Sequence, residues 1–351
     1  PISVFNSQTK ECLTTSIKDL GCRVEVTDTF ITKLYKTSIT DSIVESYKLK
    51  ENGNLSKKTD GKKVNKIYIP KLEDANWAGT SKSNQCVLIL TEGLSAKTFA
   101  MWGLGVVGAD RYGVFPLRGK FLNVRDASIA QLLGNEEVNN IKQIIGLKNN
   151  KVYENLSDLR YGKILILTDN DLDGYHIKGL LVNFIHTLWP SLLKLAKETF
   201  IQTLRTPIIK AINNKKTFEF FTEQDYNKWK DLTSGSSKYT IKYFKGLGTS
   251  EKNDAKETFK RFDELKIDYY YKNSTCDDSI ILAFGKDHSN TKAGGGQTVH
   301  KASDLRKEWL KKYDRDLYIR SDTKRVSYQD LINKELVHFS IYDNMRSIPN
   351  L

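Results

Sequence analysis

The sequence predicts an α/β fold with a mostly parallel sheet flanked by helices, and two observations carry that expectation. Val87-Leu88-Ile89-Leu90 and Lys163-Ile164-Leu165-Ile166-Leu167 are short runs of nearly continuous apolar residues. Runs of this kind suit strands covered on both faces. Each ends in a turn rich in carboxylates, Thr91-Glu92-Gly93 in one case and Thr168-Asp169-Asn170-Asp171-Leu172-Asp173-Gly174 in the other. Each turn then leads into a helical pattern. Repeated strand–acidic loop–helix units build parallel sheets.

The elements follow in chain order. Residues 1–48 mix short β-branched runs with a helical stretch around Thr29 to Tyr47. Residues 49–80 open with a polar, basic segment and read as a linker or exposed loop. Residues 81–285 hold the sheet domain and an extension on its C-terminal side. In it, Ser95 is expected to cap a helix running to about Leu104. Gly103-Leu104-Gly105-Val106-Val107-Gly108 has the spacing of a dinucleotide-binding turn, but it closes this helix instead of opening one. Gly113 to Lys120 faintly resembles a phosphate-binding loop, with Phe121 where Ser or Thr is required. A second helix is expected from about His176 to Leu188. Residues 286–302, with Gly294-Gly295-Gly296, form a flexible insertion, and residues 303–351 turn helical again over Asp304 to Lys312.

Composition narrows the function classes. The chain has 351 residues, enough for about two domains. It is 39% hydrophobic and 11% aromatic, as expected of a globular chain. Lys and Arg number 55 against 42 Asp and Glu, a net charge of +13, which points to a polyanion such as nucleic acid. The four cysteines, Cys12, Cys22, Cys86 and Cys276, form no CxxC pair, which argues against a zinc ribbon or a disulfide scaffold. The longest apolar stretch, Leu180 to Leu193, is interrupted by Asn183, His186 and Pro190 and is no membrane span. The first residues, Pro1-Ile2-Ser3, carry neither an initiator Met nor a signal-peptide pattern, consistent with a fragment or a processed product.

The carboxylates suggest chemistry. Ligands of open α/β sheets bind beyond the carboxyl ends of the strands. If the two apolar strands are neighbours, Glu92 faces Asp169, Asp171 and Asp173 there. In an extended segment the Asp-x-Asp-x-Asp spacing puts three carboxylates on one side. Like charges so placed raise each other's pKa, and a bound cation relieves the repulsion. Oxygen ligands without His or Cys favour Mg²⁺, with Mn²⁺ or Ca²⁺ as substitutes. An EF-hand calcium loop is excluded, because Leu180 stands where a bidentate Glu is required. A solvated acidic turn is the alternative reading. His176 and Lys178 fall at the start of the following helix, where a cation can reach phosphate; a structural role for His176 is equally compatible.

Several segments resemble the type IIA DNA topoisomerases of eukaryotic type. Glu92-Gly93-x-Ser95-Ala96, Pro116-Leu117-Arg118-Gly119-Lys120-x-Leu122-Asn123-Val124-Arg125 and Asp169-x-Asp171-x-Asp173-Gly174-x-His176-Ile177 resemble their TOPRIM domain. Asn6-Ser7-Gln8-Thr9-Lys10, Pro70 to Asn76, Tyr243 to Ser250, and Ile332 to Asn350 extend the resemblance over almost the whole chain. It implies a TOPRIM domain preceded by part of the transducer and followed by the helical start of the winged-helix breakage region. The activity it implies is ATP-dependent passage of one duplex through a transient double-strand break, made by a tyrosine that lies outside this chain.

Carried over by position, the resemblance gives Glu92, Asp169, Asp171 and Asp173 as catalytic and metal-binding. Glu92 and Asp169 hold one metal, Asp169 and Asp171 a second, and Asp173 supports them. Glu92 also helps to move the proton on the 3′-oxygen. Arg118, Lys120, Asn123 and Lys245 face DNA, joined by His176 and Lys178. Gln8 and Lys10 match the loop that reaches the nucleotide. The implied partners are Mg²⁺, ATP in the intact enzyme, double-stranded DNA and a second copy of the enzyme. The implied location is the nucleus, or the host cytoplasm or virion for a viral member. The chain alone is expected not to cut or pass DNA. Leu94 stands where the family usually has Asp, which suggests a divergent member. Two other readings remain open: another TOPRIM nuclease or primase, and a DNA-binding relative without the chemistry.

Overall fold

The structure is a computed structural model that describes residues 27–35, 43, 46–47, 53, 55–214, 216–233, 238–244, 246–286 and 302–347. The chain divides into two compact units, Pro1–Gly53 and Asn54–Leu351. The first contains helix α1, Asp28–Tyr35, with Asp28 in its first turn, where a carboxylate suits the helix dipole. The rest of that unit up to residue 26, with Gln8 and Lys10, lies outside the described residues.

In the second unit, β1 (Val87–Thr91), α2 (Leu94–Val107) and β2 (Tyr112–Pro116) come first. Two short helices follow, α3 (Ile129–Gly134) and α4 (Glu136–Ile145), and then β3 (Lys163–Leu167), α5 (Leu172–Leu188) and β4 (Ile201–Leu204). A small antiparallel sheet is built from β5 (Ile209–Ile212), β6 (Thr217–Phe220) and β7 (Thr240–Tyr243), with α6 (Glu223–Leu232) between β6 and β7. The chain continues through α7 (Lys252–Lys260), β8 (Lys266–Tyr270) and α8 (Ser274–Phe284). Then come α9 (Ala302–Lys311), β9 (Arg325–Ser327) and, after one wide turn over Ile332–Leu336, α10 (Val337–Ser347).

The main sheet has the order β2-β1-β3-β4-β8-β9. All of its pairings are parallel except β4 with β8. The two apolar runs are adjacent strands, β1 and β3, and both are buried on both faces. Leu88, Leu90, Ile164 and Ile166 point into one core, with Ile177, Leu181 and Phe184 of α5. Val87, Ile89, Leu165 and Leu167 point into the other, with Phe99 and Leu104 of α2 and Phe259 of α7. Alternation along each strand therefore feeds two apolar layers, which is why the sequence shows no polar–apolar period there.

Four boundaries differ from the sequence expectation. Helix α2 begins at Leu94 with Gly93 as its N-cap, so Ser95 lies inside the first turn and does not cap it. Helix α5 begins at Leu172, not near His176, because the Asp171 carboxylate accepts the Gly174 N–H at 2.8 Å and starts the helix four residues earlier. Residues 55–80 are not a free linker. Leu55, Ile69, Ala75 and Ala78 are buried against the core. Asp74 in this stretch takes hydrogen bonds from the buried Arg160 guanidinium and the Tyr161 hydroxyl, both at 2.5 Å. Beyond residue 303 the chain still belongs to the same sheet, since β9 pairs with β8. The Gly-rich insertion lies outside the described residues except at its two ends.

The GxGxxG stretch closes α2, as expected, and its first glycine serves packing. A Cβ on Gly103 would meet the Phe259 ring at 2.2 Å, so only glycine lets α7 approach α2 this closely. Gly108 caps the helix with φ +86. Gly105 is exposed, with nothing within 4 Å of its Cβ position. Gly103→Ala should therefore destabilise the chain by about 1–3 kcal/mol through overpacking. Gly105→Ala should stabilise it by up to about 1 kcal/mol through helix propensity. Urea denaturation midpoints of the two variants check this, and equal midpoints would contradict the packing argument.

Candidate functional site

Parallel pairing sets the site. Thr91 of β1 lies opposite Leu167 of β3, so the residues that follow, Glu92 and Thr168-Asp169, emerge side by side at the carboxyl edge. The Asp169 backbone N–H donates to Glu92 Oε2 at 3.3 Å. Burial, followed by the charge of Asp169 and then those of Asp171 and Asp173, pushes the Glu92 carboxyl up to about 7. Asp169 is also raised by burial and by Asp171, against the opposing effect of a hydrogen bond from the Leu247 N–H at 2.7 Å. A Cβ on Gly246 would come within 2.5 Å of Asp169 Oδ2, so glycine is needed where this chain segment crosses the carboxylate. Gly246 and Leu247 lie within the Tyr243–Ser250 match, where the sequence assigns neither an individual role.

The three Asp residues do not line one side of an extended loop. Asp171 caps α5 and Asp173 lies in its first turn, so helix geometry replaces the two-residue alternation. Asp173 is turned toward Lys120, whose Nζ lies 3.0 Å from its Oδ1. As placed, no three Asp, Glu, His or Cys side chains among the described residues enclose a point where an ion would sit. The donor set nevertheless fits a hard cation: Glu92, Asp169 and Asp171 offer only carboxylate oxygens, and their mutual repulsion is what a divalent ion would relieve. A cavity of about 340 Å³ opens beside Asp169 and Asp171, with Phe99, Tyr243 and Leu247 in its wall.

The basic loop after β2 lies close by. Leu117, Phe121 and Val124 are buried and anchor it, while Arg118 and Lys120 remain exposed around Gly119. Arg118 forms a bidentate pair with Glu136 at 2.7 and 3.1 Å. Exposed pairs of this kind contribute about 0–1 kcal/mol, so a phosphate can replace the carboxylate at little cost.

Other expected DNA contacts are engaged within the protein. Lys178 is 5% exposed, and its Nζ meets Glu335 at 3.2 Å. It cannot reach solvent phosphate from there, because it lies on the face of α5 that packs against the Ile332–Leu336 turn. Asn123 is committed to the protein, donating to the Phe284 carbonyl at 3.0 Å and accepting from Asn183 at 2.8 Å. His176 stacks on Phe339, with ring centroids 4.0 Å apart, and burial holds it at about 4, neutral at physiological pH. It therefore supplies no cation. Lys245 lies outside the described residues. Glu335 and Phe339, the partners of Lys178 and His176, lie within the Ile332–Asn350 match, but only folding brings them to α5.

The raised Glu92 value has a measurable consequence. Its folded value exceeds the ordinary 4.5, so its contribution to stability is complete below about pH 4.5 and is lost as pH rises through about 7. The Glu92 side-chain carbon signal should titrate near pH 7, and Asp169→Asn should move the midpoint part of the way back toward 4.5. A wild-type midpoint at the ordinary value would refute the coupling.

Comparisons with known proteins show the family. Residues 87–206 match the Toprim domain, and residues 204–294 and 298–344 match the C-terminal associated domain of TOPRIM. A DNA topoisomerase 2 from Drosophila melanogaster is 47% identical over 351 residues, covering 99% of this chain and 24% of the relative. A DNA topoisomerase 2 from Acanthamoeba polyphaga mimivirus is 42% identical over 385 residues, covering 99% of this chain and 30% of the relative. The chain thus spans between about a quarter and a third of the length of these relatives. The structure of the Plasmodium falciparum topoisomerase II DNA-binding, cleavage and re-ligation domain superposes with a TM-score of 0.73 at 45% identity, over 81% of this chain and 37% of that one. Sequence kinship over nearly every residue, and a shared fold, place this chain in the type II DNA topoisomerase family as a TOPRIM-containing segment.

Proposed function

We propose that this chain supplies the metal-holding part of the DNA cleavage centre of an ATP-dependent type II DNA topoisomerase. The observation that carries the reading is Glu92 beside Asp169 and Asp171, pushed up to about 7 by burial and by the neighbouring carboxylates. A structure that keeps this repulsion at the carboxyl edge of a parallel sheet is suited to a cation. Glu92, Asp169 and Asp171 would hold Mg²⁺, and Asp173 would join them on leaving Lys120. An ion held there would supply polarisation of a phosphate oxygen and stabilisation of the leaving oxygen. This chain's own residues do the rest. Asp169 orients Glu92 through its backbone N–H, and Glu92 holds or releases the proton at the 3′-oxygen. Arg118 and Lys120 position the duplex backbone. The nucleophilic tyrosine, the ATP site completed by Gln8 and Lys10, and the second copy that completes a double-strand break belong to the intact enzyme. Its place of action would be the nucleus or, for a viral protein, the infected cell.

A second reading, a DNA-binding platform without chemistry, is favoured by one observation. Leu94, 58% exposed at the start of α2, puts an apolar side chain beside the site. Titration calorimetry with Mg²⁺ at pH 7 separates the two. The cleavage-centre reading expects saturable binding with release of part of a proton from Glu92, and at least about a tenfold loss for Asp169→Asn or Asp171→Asn. Equally weak binding by wild type and both variants would favour the platform. In the intact protein, Glu92→Gln should abolish ATP-dependent decatenation while duplex affinity stays within about threefold, because phosphate contacts dominate that affinity.

A further inference from the structure

The basic loop is held from behind by a chain of polar side chains with one consistent direction. Arg125, at the end of the loop, donates from Nε to Asn183 Oδ1 at 2.9 Å, and its Nη2 lies 2.6 Å from His186 Nδ1. His186 Nε2 lies 2.8 Å from Asp277 Oδ1. Asp277 Oδ2 accepts from the Tyr271 hydroxyl at 2.6 Å and from Lys194 at 3.0 Å. The Asn183 amide donates in turn to Asn123 Oδ1, two residues before Arg125. Asn183 is fully buried and His186 is 8% exposed.

The donor inventory fixes the state of the imidazole. A guanidinium can only donate, and an ionised carboxylate can only accept. Nδ1 must therefore carry the lone pair and Nε2 the proton, so His186 is neutral with a defined tautomer. A second ring proton would point at the guanidinium. Burial acts in the same direction, lowering the affinity of this ring for a second proton, as do the nearby Arg125 and Lys194, while Asp277 opposes them.

We propose that His186 is a positioning residue for DNA binding: wedged between Arg125 and Asp277 as a one-way acceptor and donor, it fixes the loop that presents Arg118 and Lys120 to the duplex. The proposal deepens the function proposed above and rests on the reading of those two side chains as phosphate contacts. A plain core role for His186 would require only its volume. The relay role requires an acceptor at one end and a donor at the other, and a glutamine amide offers both.

The test measures binding of a short duplex to this chain by fluorescence anisotropy over a range of salt concentrations. The double variant Arg118→Ala, Lys120→Ala should flatten the log affinity against log salt slope by about two, at about 0.9 per phosphate contact. His186→Leu should flatten it similarly and weaken binding about tenfold, whereas His186→Gln should stay within about threefold of wild type. Adding His186→Leu to the double variant should change little, because both changes remove the same contacts. Nitrogen NMR of His186 should show a protonated Nε2 and an unprotonated Nδ1. Wild-type behaviour of His186→Leu, failure of glutamine to rescue, or full additivity would overturn the proposal. If His186→Leu does not fold, Arg125→Met breaks the relay from the loop side, and the same readouts decide. If wild type and the double variant bind duplex alike, the phosphate-contact reading fails instead. Amide exchange over residues 118–122 then decides the positioning role: faster exchange in His186→Leu but not in His186→Gln sustains it, and no change refutes it.

Discussion

The parallel pairing of β1 with β3 is the constraint on which the rest of the site depends. Both strands are apolar on both faces, so each is fixed by two cores at once, α5 on one side and α2 with α7 on the other. A register slip would turn every side chain to the opposite layer, which well-packed cores do not tolerate. The in-register pairing of Thr91 with Leu167 therefore forces the next residues of the two strands together. Glu92 and Asp169 meet because their strands have no alternative position.

Bringing those carboxylates together opposes folding unless something offsets it. Part of the offset is built from backbone: the Asp169 N–H serves Glu92, and the Leu247 N–H serves Asp169. Part comes from shape, since Gly246 lets the crossing chain approach Asp169 without a side chain in the way. The remainder shows as the raised affinity of Glu92 for a proton. A proton and a divalent cation are two ways of relieving the same repulsion, which links the acidity of this site to its proposed function.

The basic loop shows the complementary arrangement. Its apolar residues are sunk into the core, its exposed cations rest on Glu136 and Asp173, and its far end is held by the Arg125–His186–Asp277 chain. Exposed ion pairs are readily exchanged, whereas a buried directional relay is not. The loop thus combines a rigid base with replaceable counter-ions, a combination suited to a phosphate backbone that must be both bound and released. Leu94, exposed at the start of α2 two residues beyond Glu92, adds an apolar side chain near these charges.

The α/β class, the two buried strands, the acidic turns behind them and the excess of positive charge were all legible in the sequence, because each is a local pattern: a continuous apolar run, a cluster of carboxylates, a residue count. The motif spacing also carried the family resemblance. Tertiary structure alone decided which of the candidate side chains face the site. Whether Lys178 points to solvent or to Glu335 depends on a wide helical turn over 150 residues away in sequence. The neutrality of His176 depends on Phe339, and the commitment of Asn123 depends on Phe284 and Asn183. Composition and spacing specify which residues can do chemistry; burial and long-range partners, which exist only once the chain has folded, determine which of them remain available for it.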